Sequence, residues 1–350
     1  MTRTRTPEVG TEPTMAEASA RHEGAPKSSG RTMQMVKSSL AQVFVFGALI
    51  VVYVFFMIMA NGFAEPTILP DILLRAAPIG VMALGATFVI ATGGIDLSVG
   101  TGLSLAAVMT AWFLGGEFMN LPLGLGLLLA VLFGGLVGLV NGFNISILGL
   151  PPFIATLGMM LIARGLALVI SKTYPMQIEN PQFGDLSTTT TIPGVPNAAV
   201  IFILMAILAA VLLNKTLLGR YALAMGSNEE ATRLSGINVK MWKILVYVTA
   251  GMFMAVGAIL YSARTGVVQP AEGLGMELDV IAAVVIGGTS LAGGRANILG
   301  TVVGALLMQT LITGLQMMQV NQSWQFVVTG VIVLAAVFAD NVRRSRAQAV

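Results

Sequence analysis

Residues 72–115 read ILLRAAPIGVMALGATFVIATGGIDLSVGTGLSLAAVMTAWFLG. Two apolar runs of about twenty residues, long enough to cross a hydrocarbon core as helices, are separated by Thr92, Gly93, Gly94, Ile95 and Asp96. Backbone N–H and C=O groups in lipid must bond one another, so uninterrupted runs of this length are read as spanning helices. The same alternation recurs outward in both directions. We expect ten spans, near 40–60, 72–92, 97–115, 121–143, 153–171, 198–214, 243–263, 278–290, 298–318 and 324–339, joined by connectors rich in Gly, Pro, Asn and charge.

Composition agrees with an all-α polytopic membrane protein. Of 350 residues 56% are hydrophobic and 10% charged, and mean hydropathy is +0.86; a soluble globule carries roughly a quarter charged residues. The chain has no cysteine, and its one histidine, His22, lies in a polar stretch, which excludes a disulfide framework, a thiolate metal site and histidine catalysis. No carboxylate pair suits general acid–base work, so neither a catalytic residue nor a metal site is expected. A net charge of +3 spread along a membrane chain does not suggest nucleic acid as a partner.

Basic residues stay preferentially on the cytoplasmic side. With both termini inside, only Lys172 and Arg264 of the 19 basic residues fall outside, and only Arg75 and Arg164 within spans. Residues 1–37 lack hydrophobic periodicity and read as a disordered cytoplasmic tail rather than a cleaved signal peptide. Residues 38–340 form the membrane domain, and 341–350 a basic cytoplasmic tail. The outer connectors are net acidic, with Glu65, Asp71, Glu117, Glu179, Asp185, Glu272, Glu277 and Asp279.

Gly126, Ala130, Gly134, Gly138 and Gly142 recur every four residues in the fourth span, and Gly300 and Gly304 repeat the spacing in the ninth. Such stripes let backbones approach, either within one subunit or across a subunit interface. Asp96 follows the Gly93-Gly94 break and either caps the next helix or faces a polar conduit. Asn141 and Asn144 either hydrogen-bond a polar solute or tie helices together. Arg164, within the fifth span, needs water, a carboxylate or carbonyls as partner, whereas Arg75 can snorkel from a helix start. Pro151 and Pro152 open the fifth span, where missing N–H donors cost little.

The largest polar connector is 215–243, KTLLGRYALAMGSNEEATRLSGINVKMWK. Ser227 or Asn228 can cap a short helix with Glu229 and Glu230 in its first turn, Arg233 in its middle and Gly236 as its stop. Ala231, Leu234 and Ser235 give that helix a narrow face suited to a partner's groove.

Here the sequence resembles a family. Gly219-Arg220-Tyr221, Gly226, Asn228 to Ala231 and Arg233 to Ile237 are similar to the cytoplasmic loop of permease subunits from ribose- and xylose-type ATP-binding-cassette importers of monosaccharides. The blocks 93–100 (GGIDLSVG), 150–158 (LPPFIATLG) with Arg164-Gly165, and 277–294 also resemble that family, over roughly residues 40–340. Arg295-Ala296-Asn297 and Thr232 depart from it, where glycine and alanine are usual.

The resemblance implies a type II importer-like permease fold, a second permease copy or paralogue, a separate ATPase subunit that carries ATP-Mg, and an extracytoplasmic sugar-binding protein. It implies residence in a bacterial cytoplasmic membrane. The ATPase would be met by Gly226, Ser227, Asn228, Glu229, Glu230, Ala231, Arg233, Leu234 and Gly236. The translocation pathway would draw on Asp96, Ser98, Asn141, Asn144, Phe153, Thr156, Arg164, Asp279, Thr289 and Ser290. No phosphate-binding Gly-x-x-x-x-Gly-Lys-Ser/Thr loop occurs, so the chain itself binds no cofactor and energy must come from the partner. A branched-chain amino-acid permease is the nearer alternative and an ion-coupled secondary transporter the more distant one.

Overall fold

A computed structural model describes residues 29–116 and 118–348; for 29–42, 339–341 and 343–348 it describes the backbone alone. Of the tail expected at 1–37, residues 1–28, with His22, lie outside the described residues, as do Glu117 and residues 349–350. The chain divides into two compact units, Met1–Ala41 and Gln42–Val350. The first contributes the opening of helix α1 (Ser29–Met59), and the second holds the remainder.

Among the described residues there are thirteen helices and one two-stranded ladder. After α1 come α2 (Ile68–Ala91), α3 (Val99–Leu114), α4 (Leu123–Ser146), α5 (Pro152–Ile170), β1 (Met176–Gln177), α6 (Pro181–Asp185) and α7 (Asn197–Lys215). Then follow α8 (Leu217–Ser227), α9 (Glu229–Leu234), α10 (Val239–Thr265), β2 (Val267–Val268), α11 (Met276–Ile286), α12 (Ile298–Met317) and α13 (Gln322–Gln348). Six of these, α2, α4, α5, α7, α10 and α12, are long and apolar enough to cross a membrane. Shorter apolar stretches lie at Val43–Met59, Val99–Leu114 and Gln322–Phe338. Each of the ten expected spans therefore coincides with a helix, the eighth being the eleven-residue α11.

Limits differ where local chemistry decides them. α1 starts at Ser29 and α13 runs to Gln348, so helical backbone extends into both stretches read as tails. α10 starts at Val239, ahead of the expected 243, because the Asn238 side chain accepts from Met241 N at 3.1 Å and caps it. α11 ends at Ile286, leaving Thr289 and Ser290 in the following loop.

The core is organised around α2, whose last sixteen residues, Ala76 to Ala91, are all buried. α10, α12, α7 and α11 pack around it, and α4 lies along α10. The glycine stripe of α4 explains that last pairing. A Cβ on Gly134 would strike the carbonyl of Gly251, one on Gly138 the carbonyl of Tyr247, and one on Gly142 would lie 2.8 Å from Ile244 Cα, all on α10. The α12 pair does the same against α11, Gly300 on Gly287 and Gly304 on Ala283. Both stripes are thus seams inside one subunit. A second small cluster, Phe56, Ala60, Phe63, Ile72 and Leu311, joins α1 to α2 and α12.

Placing a branched side chain in the α4–α10 seam forces overpacking, which costs about 1–3 kcal/mol. Gly138→Val should lower the thermal unfolding midpoint of the purified chain. Gly124→Ala, whose Cβ meets nothing within 4 Å, should leave it unchanged or slightly higher.

Candidate functional site

Two features sequence reasoning singled out, the break at 92–98 and the polar connector after α7, lie against one another. α2 stops where Gly93 takes φ +79°, a left-handed conformation suited to glycine. The loop between α11 and α12 folds onto this turn: Gly294 N donates to Ala91 O at 2.9 Å. Gly226, in the last turn of α8, approaches the same carbonyl so closely that a Cβ there would overlap Ala91 O. Three chain segments therefore meet backbone to backbone, with Ala91 O at the centre.

From this junction α8 leads into α9. Asn228 is the cap, its side chain accepting from Ala231 N at 2.9 Å, while Ser227 Oγ donates back to Leu223 O at 2.9 Å within α8. Glu229 and Glu230 lie in the first turn at the positive end of the helix dipole. Gly236 ends the segment at φ +81°. Glu230 pairs with Arg233 at 2.6 Å and Glu229 reaches Lys243 on α10 at 2.7 Å. Both pairs are solvent-exposed in part and hold orientation more than they add stability. Thr232, the family departure, is the buried residue of α9, and its hydroxyl donates to Asn228 O at 2.8 Å.

Tyr221 on α8 meets Trp242 on α10 edge to face with centroids 4.8 Å apart. The connector is thus a braced assembly of three helical pieces. Its projecting face carries Ala231, Leu234 and Ser235, all exposed, with Leu234 79% accessible. Leu234 is the most open of the large apolar side chains among the described residues.

On the other side of Gly93 lies a polar centre. Asp96 Oδ1 accepts from Ser98 N at 2.9 Å and from Ser98 Oγ at 2.6 Å, forming an Asx turn that leads into α3. Asn141 Nδ2 on α4 donates to Ser98 Oγ at 2.9 Å. Thr156 on α5 donates to Ile95 O at 3.2 Å and to its own helix at Pro152 O, 2.9 Å. The break is therefore tied to α4 by Asn141 and to α5 by Thr156.

The structure thus brings together Asp96, Ser98, Asn141 and Thr156 of the ten candidate pathway residues. Thr289 and Ser290 belong to the loop that covers the Gly93 turn, where Thr289 Oγ1 accepts from Asn297 N at 3.1 Å. Asn297, where glycine is usual in the family, caps α12 by accepting from Gly300 N at 3.0 Å. Asn144 is half-buried in the last turn of α4, and Asp279 is half-buried in the first turn of α11. Phe153 and Arg164 stand apart, exposed on the outward side of α5. Sequence reading passed over the Ala91 junction, the Tyr221–Trp242 contact and the Asn238 cap. Asn238 alone carried a local signal, an Asn immediately before a helical run.

A helical bundle with six long apolar helices and helix breaks at its core is the build of a multi-pass membrane protein. Residues 68–337 match the family described as branched-chain amino acid transport system, permease component, and the chain belongs to that family. It is 41% identical over 274 residues to the ribose import permease RbsC of Escherichia coli K12, covering 77% of this chain and 84% of that one. It is 38% identical over 300 residues to RbsC of Bacillus subtilis 168, covering 84% and 91%. The galactofuranose transporter permease YtfT of E. coli K12 is 39% identical over 274 residues, covering 78% and 79%. No solved structure matches the chain. The protein is thus a multi-pass membrane permease component and not a catalytic subunit.

Removing the cap should loosen α9 without disturbing the bundle. Asn228→Ala costs about 1 kcal/mol at such a position, so amide exchange across 229–235 should quicken about fivefold. Asn228→Ser, which keeps an acceptor, should exchange like the parent protein.

Proposed function

We propose that this chain is the permease subunit of an importer that passes a monosaccharide across a bacterial cytoplasmic membrane, both termini facing the cytoplasm. The solute is delivered by an extracytoplasmic binding protein, and a separate ATPase supplies the energy. The observation that carries the sugar reading is the identity of about 40% to ribose and galactofuranose permeases over most of the chain. The family's own description, branched-chain amino acid transport, supports a second reading with an amino-acid solute and the same architecture.

The proposed energy input is α9. It has the properties of a lever: a capped, charge-ordered helix with an open leucine at its tip, tied to α10 by Glu229–Lys243 and continuous with α8, which is braced to α10 through Tyr221 and Trp242 and rooted against Ala91 through Gly226. An ATPase that grips Leu234 and its neighbours would move α8 and α9 as one body. The backbone junction would pass that motion to the α2–α3 break and to the α11–α12 loop.

The proposed passage runs between two copies of the chain along the outward side of α5. Arg164 lies in the middle of an apolar helix and is exposed; a guanidinium there needs water or a polar partner rather than lipid. Gly158 and Gly165 on the same helix have nothing within 4 Å of a built Cβ, which leaves that surface open.

Uptake of labelled ribose and leucine in cells lacking the gene, with and without the gene restored, separates the two solute readings. Loss and rescue of ribose uptake with leucine uptake unchanged is expected; the reverse pattern would establish the amino-acid reading. In the reconstituted complex, Glu229→Lys replaces the partner of Lys243 by a like charge. It should leave membrane insertion intact and abolish transport-stimulated ATP hydrolysis; stimulation at the parent level would refute the lever role.

A further inference from the structure

The polar centre at the α2–α3 break leaves two buried side-chain atoms without a hydrogen-bond partner among the described residues, Asn141 Oδ1 and the Tyr247 hydroxyl of α10, which lies against Gly94. Ser98 Oγ donates its one proton to Asp96 Oδ1 at 2.6 Å. The same oxygen must then accept from Asn141, which fixes the amide with its nitrogen toward Ser98. Asn141 Oδ1 is left as a buried acceptor with no donor among the described residues, in a side chain 1% exposed. Turning the amide over would face its oxygen to an oxygen whose proton is already committed. An orphaned acceptor of this kind costs about 1–3 kcal/mol unless something donates to it.

Asp96, Ser98 and Asn141 line one small cavity, closed by Ala86, Val137, Gly138, Ala250, Gly251 and Met254. It leaves about 10 Å³ for the centre of a water-sized sphere, and holding one water takes about 10–15 Å³ on that measure. A sugar ring, or any solute of several heavy atoms, does not fit. Gly138 and Gly251, two of the seam glycines, form part of its wall, so the seam that brings α4 against α10 also sets its size.

Among the described residues no basic side chain pairs with Asp96. The Ser98 N–H and hydroxyl and the positive end of α3 face the carboxylate instead. The Tyr247 hydroxyl beside Gly94 bonds neither Asn141 nor Asp96, whereas water supplies two O–H groups from a single atom. We propose that this cavity is a structural water site, in which one buried water donates to Asn141 Oδ1 and to the Asp96 carboxylate. Asp96 and Asn141 then act as positioning residues that fix the α3–α4 junction, and the transported solute does not touch them. The inference concerns the interior of one subunit and stands whichever solute the permease carries.

Met254 is buried and lines the cavity, which makes it a reporter. Hydroxyl radicals generated by a synchrotron pulse from a bound water oxidise the nearest susceptible side chain. With the full chain in lipid nanodiscs, Met254 should gain sulfoxide, whereas Met82, also buried but not lining the cavity, should remain unmodified. Asn141→Leu, which removes the acceptor, and Ala86→Val, which fills the space and leaves every polar group in place, should each reduce Met254 oxidation to the level of Met82. A parent protein in which Met254 is as unreactive as Met82 would overturn the proposal, and that measurement needs no variant to fold. Oxidation that persists in both variants would overturn it equally.

Discussion

A backbone amide placed in hydrocarbon has no water to bond to, and that constraint governs every place where this chain departs from a helix. Within α2, α4, α10 and α12 the requirement is met by the helix itself. At residues 92–98 and 287–297 it is met from elsewhere. The carbonyl of Ala91 receives the N–H of Gly294, that of Ile95 receives the Thr156 hydroxyl, and the amide of Ser98 turns to Asp96. The interruptions are therefore not loose. Each is a place where one helix is fastened to another by a polar bond that hydrocarbon cannot compete for.

That fastening gives the bundle its division of labour. Where helices meet through glycine, as α4 meets α10 and α12 meets α11, the contact is wide and apolar and resists sliding, because interiors packed at this density admit no intermediate fit. Where they meet through the two breaks, the contact is a handful of hydrogen bonds, each able to exchange with another partner if the backbone shifts. In the proposed importer cycle, motion from α8 and α9 would enter at the second kind of contact and be carried intact by the first.

Much of this was legible in the order of residues. The ten apolar runs, the Asn228 cap with Glu229 and Glu230 behind it, and the Gly236 stop are local signals, each set by chemistry within a few positions. The glycine stripes were visible too, though whether the one on α4 faced a second subunit or the same one depended on α10, more than a hundred residues away. Tertiary bonds left no mark of that sort. Nothing near Thr156 points to Ile95, and nothing near Gly226 points to Ala91. The connector 215–243 was read as a polar insertion holding one short helix, yet α8 and the start of α10 fill most of it. Tyr221 and Trp242, twenty-one positions apart, brace the two helices only once the turn between them is formed.

The braced connector also separates two kinds of position that lie within ten residues of each other. At Gly226 the chain meets Ala91 and Gly294 through main-chain atoms, so no choice of side chain can tune that contact; it is either present or lost. At Ala231 and Leu234 nothing in the subunit constrains the side chain, and Ser235 is held only by its own bond to Ala231 O at 2.9 Å. Under the proposed lever role, rewiring which motor drives which permease, or building two importers that ignore each other in one cell, would use that small outer surface as the adjustable part and leave the root of the helix alone.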